Sequence, residues 1–117
     1  RIGALTTRSL AGVIEMIRVV LCNCSPDESQ HLASTLVEEN LAACVNIVPG
    51  VTSFYQWGGE LCADSEVTLL IKTSTERYDE MKARLTSIHS YDVPEIIALE
   101  ATDVLESYAN WVREQTS

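Results

Sequence analysis

The most reactive side chains of this 117-residue chain are four thiols and two imidazoles. Cys22 and Cys24 stand two positions apart in an apolar run, so they face the same side if that run is a strand. His89 follows a helical pattern, in a segment expected to be a loop. Thiol and imidazole donors suit copper and zinc better than magnesium or calcium, and a carboxylate from Asp64 or Glu66 could join them. The residue types therefore allow a metal site, and the alternative interpretation, a core thiol and a surface imidazole, stays open.

A thiol and an imidazole are also the combination used by cysteine nucleophiles. Cys22 with His89 is conceivable as such a pair, but nothing in the sequence marks an oxyanion hole. The other imidazole, His31, lies in a polar part of an expected helix and is predicted to be a solvated surface residue. The sequence also contains no phosphate-binding loop, serine nucleophile elbow or dinucleotide fingerprint. An enzyme is therefore the least favoured class, and we expect a protein without catalytic residues.

The charge balance excludes two kinds of partner. The chain carries 17 acidic and 8 basic residues, a formal net charge of −9. Phosphate backbones and anionic lipid surfaces repel such a chain, so we expect neither nucleic acid nor membrane as a partner. The four cysteines form no CxxC pair, and the chain is long enough to fold without disulfides. Reduced thiols of this kind are typical of a reducing compartment, so we expect a cytoplasmic protein.

Residues 1–16 differ from the rest of the chain. They contain Arg1 and Arg8 and only a short apolar run, without the apolar core or cleavage site of a signal peptide. We interpret this segment as an upstream extension or a cloning remnant. The sequence predicts a single domain over residues 17–117.

Three strands and a helix are predicted in the first part of this domain. Residues 17–23 form a buried strand, and a helix follows to about residue 40, with Ser25, Pro26 and Glu28 as a capping box. Residues 44–73 form a long hairpin that turns at Gly58-Gly59. Pro49 and Gly50 interrupt its first strand, which indicates an edge position or a bulge.

Two helices and one strand complete the pattern. A helix preceded by Ser74-Thr75 presents one apolar face, a strand covers residues 96–101, and Asp103 with Glu106 indicates the cap of a last helix. In the helix after Ser74-Thr75 the apolar face consists of Tyr78, Met81, Leu85 and Ile88. In the last helix it consists of Val104, Leu105, Tyr108, Trp111 and Val112.

The resulting order of elements is β-α-β-β-α-β followed by a helix. This order predicts an α+β, ferredoxin-like sandwich: one antiparallel sheet with helices on one face, an extended hairpin between the second and third strands, and a C-terminal helix. The other sheet face lacks a cover within a chain of this length. We therefore expect self-association through that face or through the hairpin.

Several segments resemble the CutA divalent-cation tolerance proteins, in one unbroken order over residues 17–114. These segments are V-V-L-C at 19–22, P-D-E at 26–28, L-A-A-C-V-N-I-V-P-G at 41–50, S-F-Y-Q-W at 53–57, D-S-E-V at 64–67, I-K-T at 71–73 and H-S-Y-D-V-P-E-I-I-A-L at 89–99. The runs at 41–50 and 89–99 are the most specific of these. The resemblance implies a ferredoxin-like subunit, a homotrimer in which strands of neighbouring subunits extend each other's sheets, and association with copper or other divalent cations.

The resemblance also implies where the metal ligands lie. The metal positions of bacterial members fall on Cys22 and His89, and Glu66 matches a carboxylate position. Some bacterial members have two adjacent histidines where this chain has Ile88 and His89, so Cys24 is a candidate replacement donor. The sequence thus predicts a metal site of Cys22, His89 and Glu66, in a trimer that contributes to divalent cation tolerance.

A second interpretation stays open beside metal binding. The trimer of this family resembles the PII signalling proteins in architecture, which is a fold-level analogy. Lys72 is predicted to snorkel to solvent or to pair with a carboxylate such as Glu95 or Glu100. On this interpretation, clefts between subunits near Lys72, Tyr91 and Glu95 hold a small molecule.

Overall fold

The computed structural model describes residues 17–117, which form four strands and three helices. Residues 1–16, assigned above to an extension, lie outside the described residues. The elements are β1 (Ile17–Cys24), α1 (Ser29–Glu38), β2 (Cys44–Trp57), β3 (Glu60–Ser74), α2 (Thr75–Ile88), β4 (Ile96–Glu100) and α3 (Glu106–Gln115).

The four strands form one antiparallel sheet in the order β2-β3-β1-β4. The central strand β1 pairs along its whole length with β3 and from Arg18 to Cys22 with β4. Strand β2 pairs only with β3, so it lies at the edge of the sheet. This topology confirms the predicted α+β, ferredoxin-like sandwich.

Helices α1 and α2 pack on the same face of the sheet. Alternate residues of β1 and β3 point to that face because side chains alternate along a strand, and they form one buried cluster with both helices. The strand members are Val20, Cys22, Cys24, Val67, Leu69 and Ile71, and the helix members are Leu32, Leu36, Tyr78, Met81 and Leu85. Burial of this apolar surface is the main stabilising contribution to the fold.

The hairpin is longer than the sheet to which it belongs. Strand β3 pairs with β1 only from Val67 onward, so the part from Glu60 to Glu66 projects beyond the sheet with β2 alone. The pairing register of β2 with β3 shifts between Val48 and Val51. Gly50 takes a φ of 76° there, which a residue with a side chain adopts rarely. The predicted edge position, bulge and Gly58-Gly59 turn are all confirmed.

The start of α1 differs from the prediction. The helix begins at Ser29, after a turn over residues 26–28, and not at Pro26. A serine that caps a helix accepts a hydrogen bond from a helix amide. Here the Ser25 hydroxyl instead donates to the Glu28 carboxylate at 2.9 Å. By contrast, the Ser74 hydroxyl caps α2 and accepts from the Arg77 amide.

Helix α3 also departs from the prediction. Its N-cap is Leu105, without a side-chain cap, so the proposed cap by Asp103 is wrong. Ala109 and Val112 are the buried side chains, packed against Ile17 and Ala43, whereas Leu105 is exposed. The apolar residues predicted for α3 are more numerous than those that pack against the sheet. Tyr108 and Trp111 therefore lie partly exposed.

The sheet face opposite α1 and α2, called the open face below, is only partly covered. Helix α3 packs over the end of this face that carries Ile17. Toward the other end Ile97 and Leu99 stay 48% and 51% exposed, and they pair with Leu21 and Val19 of β1. A single copy of residues 17–117 therefore leaves apolar strand residues in solvent. None of the described helices has the length and apolarity needed to cross a bilayer.

Candidate functional site

Two predicted metal ligands converge on one backbone atom, the carbonyl oxygen of Asn23. The Cys22 Sγ lies 3.7 Å from this oxygen, and His89 Nε2 lies 2.9 Å from it. Strand β1 positions Cys22 and Asn23, and the segment that follows α2 positions His89. The structure thus brings together a thiol and an imidazole that are far apart in the sequence.

The imidazole of His89 has hydrogen bonds at both nitrogens. The Tyr91 amide donates to Nδ1 at 3.1 Å, so Nδ1 carries no proton. Nε2 then carries the proton and donates to Asn23 O. His89 is buried, at 8% exposure, where sequence analysis offered a surface imidazole as the simpler interpretation. In this arrangement the ring positions the segment after α2 against the end of β1.

The thiols of Cys22 and Cys24 are buried on the helix-facing side of β1. Burial raises the pKa of Cys22 to about 12, with a further contribution from nearby Cys24, Glu95, Glu28 and Glu66. Burial likewise raises the pKa of Cys24 to about 11. Both are therefore neutral thiols at neutral pH, whereas a metal ligand is a thiolate.

Glu66 joins this group through Tyr91. The Tyr91 hydroxyl donates to Glu66 Oε2 at 2.6 Å, and the Tyr91 ring lies 4.7 Å from the His89 ring, centroid to centroid. Burial and the bond to Glu66 raise the pKa of Tyr91 well above its usual value. Cys22, His89 and Glu66 are therefore linked in one chain of contacts that runs through Asn23 and Tyr91.

Glu28 fastens the segment that carries His89 and Tyr91. Its carboxylate accepts from the Ser90 amide at 3.1 Å, the Ser90 hydroxyl at 2.6 Å, and the amide and hydroxyl of Ser25. Partial burial raises the pKa of Glu28, but the hydrogen bonds from Ser90 and Ser25 outweigh it, so the pKa lies below its usual value. We call this arrangement the Glu28 clamp.

A cleft of about 700 Å³ lies next to these residues, between the projecting hairpin and the segment after α2. We call it the hairpin cleft. Its lining consists of Asn23, Ser53, Phe54, Tyr55, Trp57, Asp64, Glu66, Tyr91, Asp92, Val93 and Glu95. Ser53 lies opposite Asp64 in the hairpin and Tyr55 opposite Cys62, so alternate residues of both strands face the same side.

Sequence reasoning found part of this site. It named Cys22, His89, Glu66, Asp64, Tyr91 and Glu95. The last four line the hairpin cleft, whereas Cys22 and His89 are buried and contact the carbonyl oxygen of Asn23, another lining residue. It missed Asn23 and Glu28, whose roles depend on contacts with residues distant in the chain. Lys72 lies elsewhere: its ammonium group donates to Asn46 of β2 and not to Glu95 or Glu100. Glu100 forms an ion pair with Arg18.

The remaining thiols and the second imidazole lie outside this site. His31 is exposed on α1, as predicted. Cys44 is half-buried, because it lies on the partly covered open face of the sheet, paired with Lys72 of β3. All four cysteines are free. Within residues 17–117, no three His, Cys, Asp or Glu side chains are arranged to hold a metal ion.

Comparisons with known proteins agree with this description. Residues 18–115 match the family described as CutA1 divalent ion tolerance protein. The chain is 47% identical over 102 residues to the divalent-cation tolerance protein CutA of Thermus thermophilus, covering 86% of this chain and 99% of that protein. It is 42% identical to the chloroplastic CutA of Arabidopsis thaliana, where it covers 77% of this chain and spans half the length of the relative.

Solved structures have the same fold. The Thermus thermophilus protein superposes with a TM-score of 0.83 over 87% of this chain and 100% of that chain. A structure from Nostoc, described as a PII-like protein CutA in apo form, is 37% identical. It superposes with a TM-score of 0.82 over 86% of this chain and 97% of that one.

Proposed function

Because the chain belongs to the CutA1 divalent ion tolerance family, we propose that it binds divalent metal ions, copper above all, as a homotrimer that contributes to divalent cation tolerance. The proposed ligands are Cys22, His89 and Glu66. One observation carries this assignment: the Cys22 thiol and the His89 imidazole converge on the same carbonyl oxygen.

The donor types fit copper or zinc, but their present hydrogen bonds do not leave them free. His89 Nε2 has to release the Asn23 carbonyl before it can coordinate a metal. The Cys22 thiol, with its raised pKa, has to lose its proton. Metal binding at these residues therefore requires a local rearrangement, and the affinity is expected to fall as the pH falls.

Titration calorimetry of Cu(II) and Zn(II) tests the assignment. We expect Cys22→Ser, His89→Ala and Glu66→Gln each to weaken binding by about tenfold or more. Cys44→Ser and His31→Asn serve as matched controls, because they remove a half-buried thiol and an exposed imidazole outside the site. Thermal melts establish that each variant is folded. Unchanged affinity in both Cys22→Ser and His89→Ala would rule out the proposed ligands.

The proposed trimer rests on the open face of the sheet. Ile97 and Leu99 are about half exposed there, and contiguous exposed apolar residues are typical of a subunit interface. Within this proposal the protein acts without catalysis, in the cytoplasm, and without nucleic acid or membrane as a partner. Native mass spectrometry with and without copper reports the number of subunits and of bound ions in one measurement.

We propose a PII-like signalling trimer as a second candidate function, with a small molecule bound in clefts between subunits. The specific observation in its favour is the hairpin cleft of each chain, whose volume of about 700 Å³ matches small-molecule sites and which a neighbouring subunit would complete in the proposed trimer. The Nostoc relative that superposes on this chain is described as PII-like. Thermal-shift screening of small metabolites on wild type, Cys22→Ser and His89→Ala discriminates the candidates, because a ligand of this second kind is expected to stabilise all three proteins.

A further inference from the structure

We propose that residues 89–95 form a strap over the buried thiols and imidazole of the proposed metal site, and that the Glu28 clamp controls how often this strap opens. The inference rests on the proposed metal-binding function and deepens it, because it names the movement that precedes coordination. Glu28 and Ser90 are positioning residues in this proposal, since they hold the strap and contact no metal. Three observations support it: the burial of the ligands, the contacts that hold the strap, and the place of the clamp.

The thiol and imidazole groups are closed off from solvent. Cys22 and Cys24 have no exposed surface, and His89 is 8% exposed. A hydrated ion does not reach a donor atom through a packed interior, because protein cores contain few spaces larger than a water molecule. Coordination at Cys22 and His89 therefore requires that a covering segment first moves away.

The strap borders the end of β1 that β4 leaves uncovered. Strand β4 pairs with β1 only as far as Cys22. Past that point both ends of the strap contact Asn23. His89 Nε2 donates to the main-chain oxygen of Asn23 at 2.9 Å, and the Asn23 side-chain amide donates to Glu95 at 3.5 Å. Cys24 lies on the same end of β1, so movement of the strap uncovers the end of the strand that carries both thiols.

Side-chain contacts, and not a main-chain ladder, hold the middle of the strap. Among the described residues, 90–94 take part in no main-chain to main-chain hydrogen bond. The Tyr91 hydroxyl donates to Glu66, and the nearby Cys24 thiol contributes to the raised pKa of Tyr91. Residues 90–93 are exposed to solvent. Segments held in this way open at a lower free energy than the whole domain, so we expect the strap to open while the helix-facing core stays folded.

The Glu28 clamp attaches the strap on the helix-covered side of the sheet. Two of its four hydrogen bonds come from Ser90, the residue that directly follows His89. Because the acceptor is ionised, these bonds are stronger than bonds between neutral groups. The other two, from Ser25, orient the carboxylate at the start of α1. Loss of the Ser90 bonds should therefore favour the open strap and leave the helix-facing core unchanged.

The proposed trimer leaves this attachment accessible. Its subunits meet through the open face or the hairpin, whereas Ser25 and Glu28 precede α1, which packs on the opposite face of the sheet. The Tyr91 end of the strap borders the hairpin cleft instead. We therefore expect the clamp to control opening in the assembled protein, and the experiments use that form.

Labelling of thiols measures the opening without any metal. In a Cys44→Ser and Cys62→Ser background, only the thiols of Cys22 and Cys24 remain to react with iodoacetamide. Mass spectrometry follows the reaction at one pH, and native mass spectrometry confirms assembly. Ser90→Ala should accelerate labelling by about fivefold or more, because the labelling rate follows the population of the open form.

Glu28→Gln should accelerate labelling as well, by about fivefold or more. This variant is not sufficient alone, because the Glu28 charge also raises the pKa of both thiols, and its removal makes them more reactive. Ser90→Ala leaves that charge in place, so it isolates the effect of the strap.

Two control variants separate local opening from unfolding of the domain. Ser74→Ala removes the hydroxyl that caps α2, at the end of the sheet far from the strap, and weakens the domain without a contact to the strap. Glu38→Gln removes one carboxylate from the other end of α1. Both should label at the wild-type rate.

Stopped-flow mixing with Zn(II) connects the strap to the metal site. Zn(II) is the probe because it does not oxidise thiols. In the chain with all four cysteines, Ser90→Ala should raise the association rate of Zn(II) by the same factor as the labelling rate, because the ion enters through the same open form.

The other outcomes separate this inference from the proposed function. Wild-type labelling of Ser90→Ala would overturn the inference, and Zn(II) titration of the wild-type protein would still test the ligands. Equal acceleration by Ser74→Ala would also overturn it, because the thiols would then be reached by unfolding of the domain. Faster labelling of Ser90→Ala, with no binding of Zn(II) to either protein, would refute the proposed ligands and, with them, the role of the strap in metal entry.

Discussion

The two faces of the sheet are built from the same strands, yet they meet different environments. Facing α1 and α2, Val20, Leu69 and Ile71 are fully buried. On the open face, Ile97 and Leu99 are about half exposed although they are just as apolar. The comparison indicates that one face supplies the stability of the single chain, whereas the other face and the adjoining hairpin cleft are available for partners.

The largest effect is expected from a cavity on the helix-facing side. Leu69→Ala should lower the free energy of unfolding by about 2–5 kcal/mol, because Leu69 has no exposed surface and its neighbours cannot collapse fully into the space. Leu61→Ala is the matched control on the hairpin, where the side chain is 71% exposed, and should cost at most about 0.5 kcal/mol. Urea denaturation at one protein concentration measures both. Equal costs would mean that burial in the single chain does not distinguish the two regions.

An intermediate effect is expected on assembly from a charge on the open face. Leu99→Asp should raise the protein concentration needed for assembly by about tenfold or more, because a buried carboxylate in the interface replaces an apolar contact. Native mass spectrometry over a dilution series provides the measurement.

Ser34→Asp provides the control for that experiment, since it adds the same charge at an exposed position of α1. We expect it to assemble like wild type. If Leu99→Asp also assembles like wild type, the open face is not the subunit interface.

The smallest effect is expected at the Glu28 clamp, which holds the segment after α2 to the segment after β1. Glu28→Gln should lower stability by about 1–2 kcal/mol at neutral pH, because a charged acceptor of four hydrogen bonds becomes neutral. Since the folded pKa of Glu28 lies below its unfolded value, its contribution is fully present above the unfolded pKa of about 4.3 and is lost as the pH falls through the folded pKa.

Urea denaturation from neutral to acidic pH tests this sign. The difference between wild type and Glu28→Gln should be constant at neutral pH and should shrink in acid. Glu38→Gln, at an exposed position of α1, should follow wild type throughout. A difference that grows on acidification would contradict the role of the clamp.

The periodicity of the sequence was sufficient for most elements. The β-branched run that contains Val19 and Val20 predicted β1, and Gly58-Gly59 predicted the turn of the hairpin, because these signals are local. The caps at Ser25 and Asp103 were predicted wrongly for a related reason. The Ser25 hydroxyl bonds to Glu28, whose carboxylate also binds distant Ser90, so a contact outside the local pattern accompanies the late start of α1.

What the sequence alone determined is the order of the elements, the family resemblance and the residue types of the site. These follow from local propensity, from alternation and from motifs that need no knowledge of distant contacts. Only the tertiary structure decided that His89 is buried with both nitrogens bonded, that Lys72 pairs with Asn46, and that Glu28 fastens the segment after α2. Side chains remote in sequence meet only when the sheet closes, and the protonation and availability of each group depend on those neighbours.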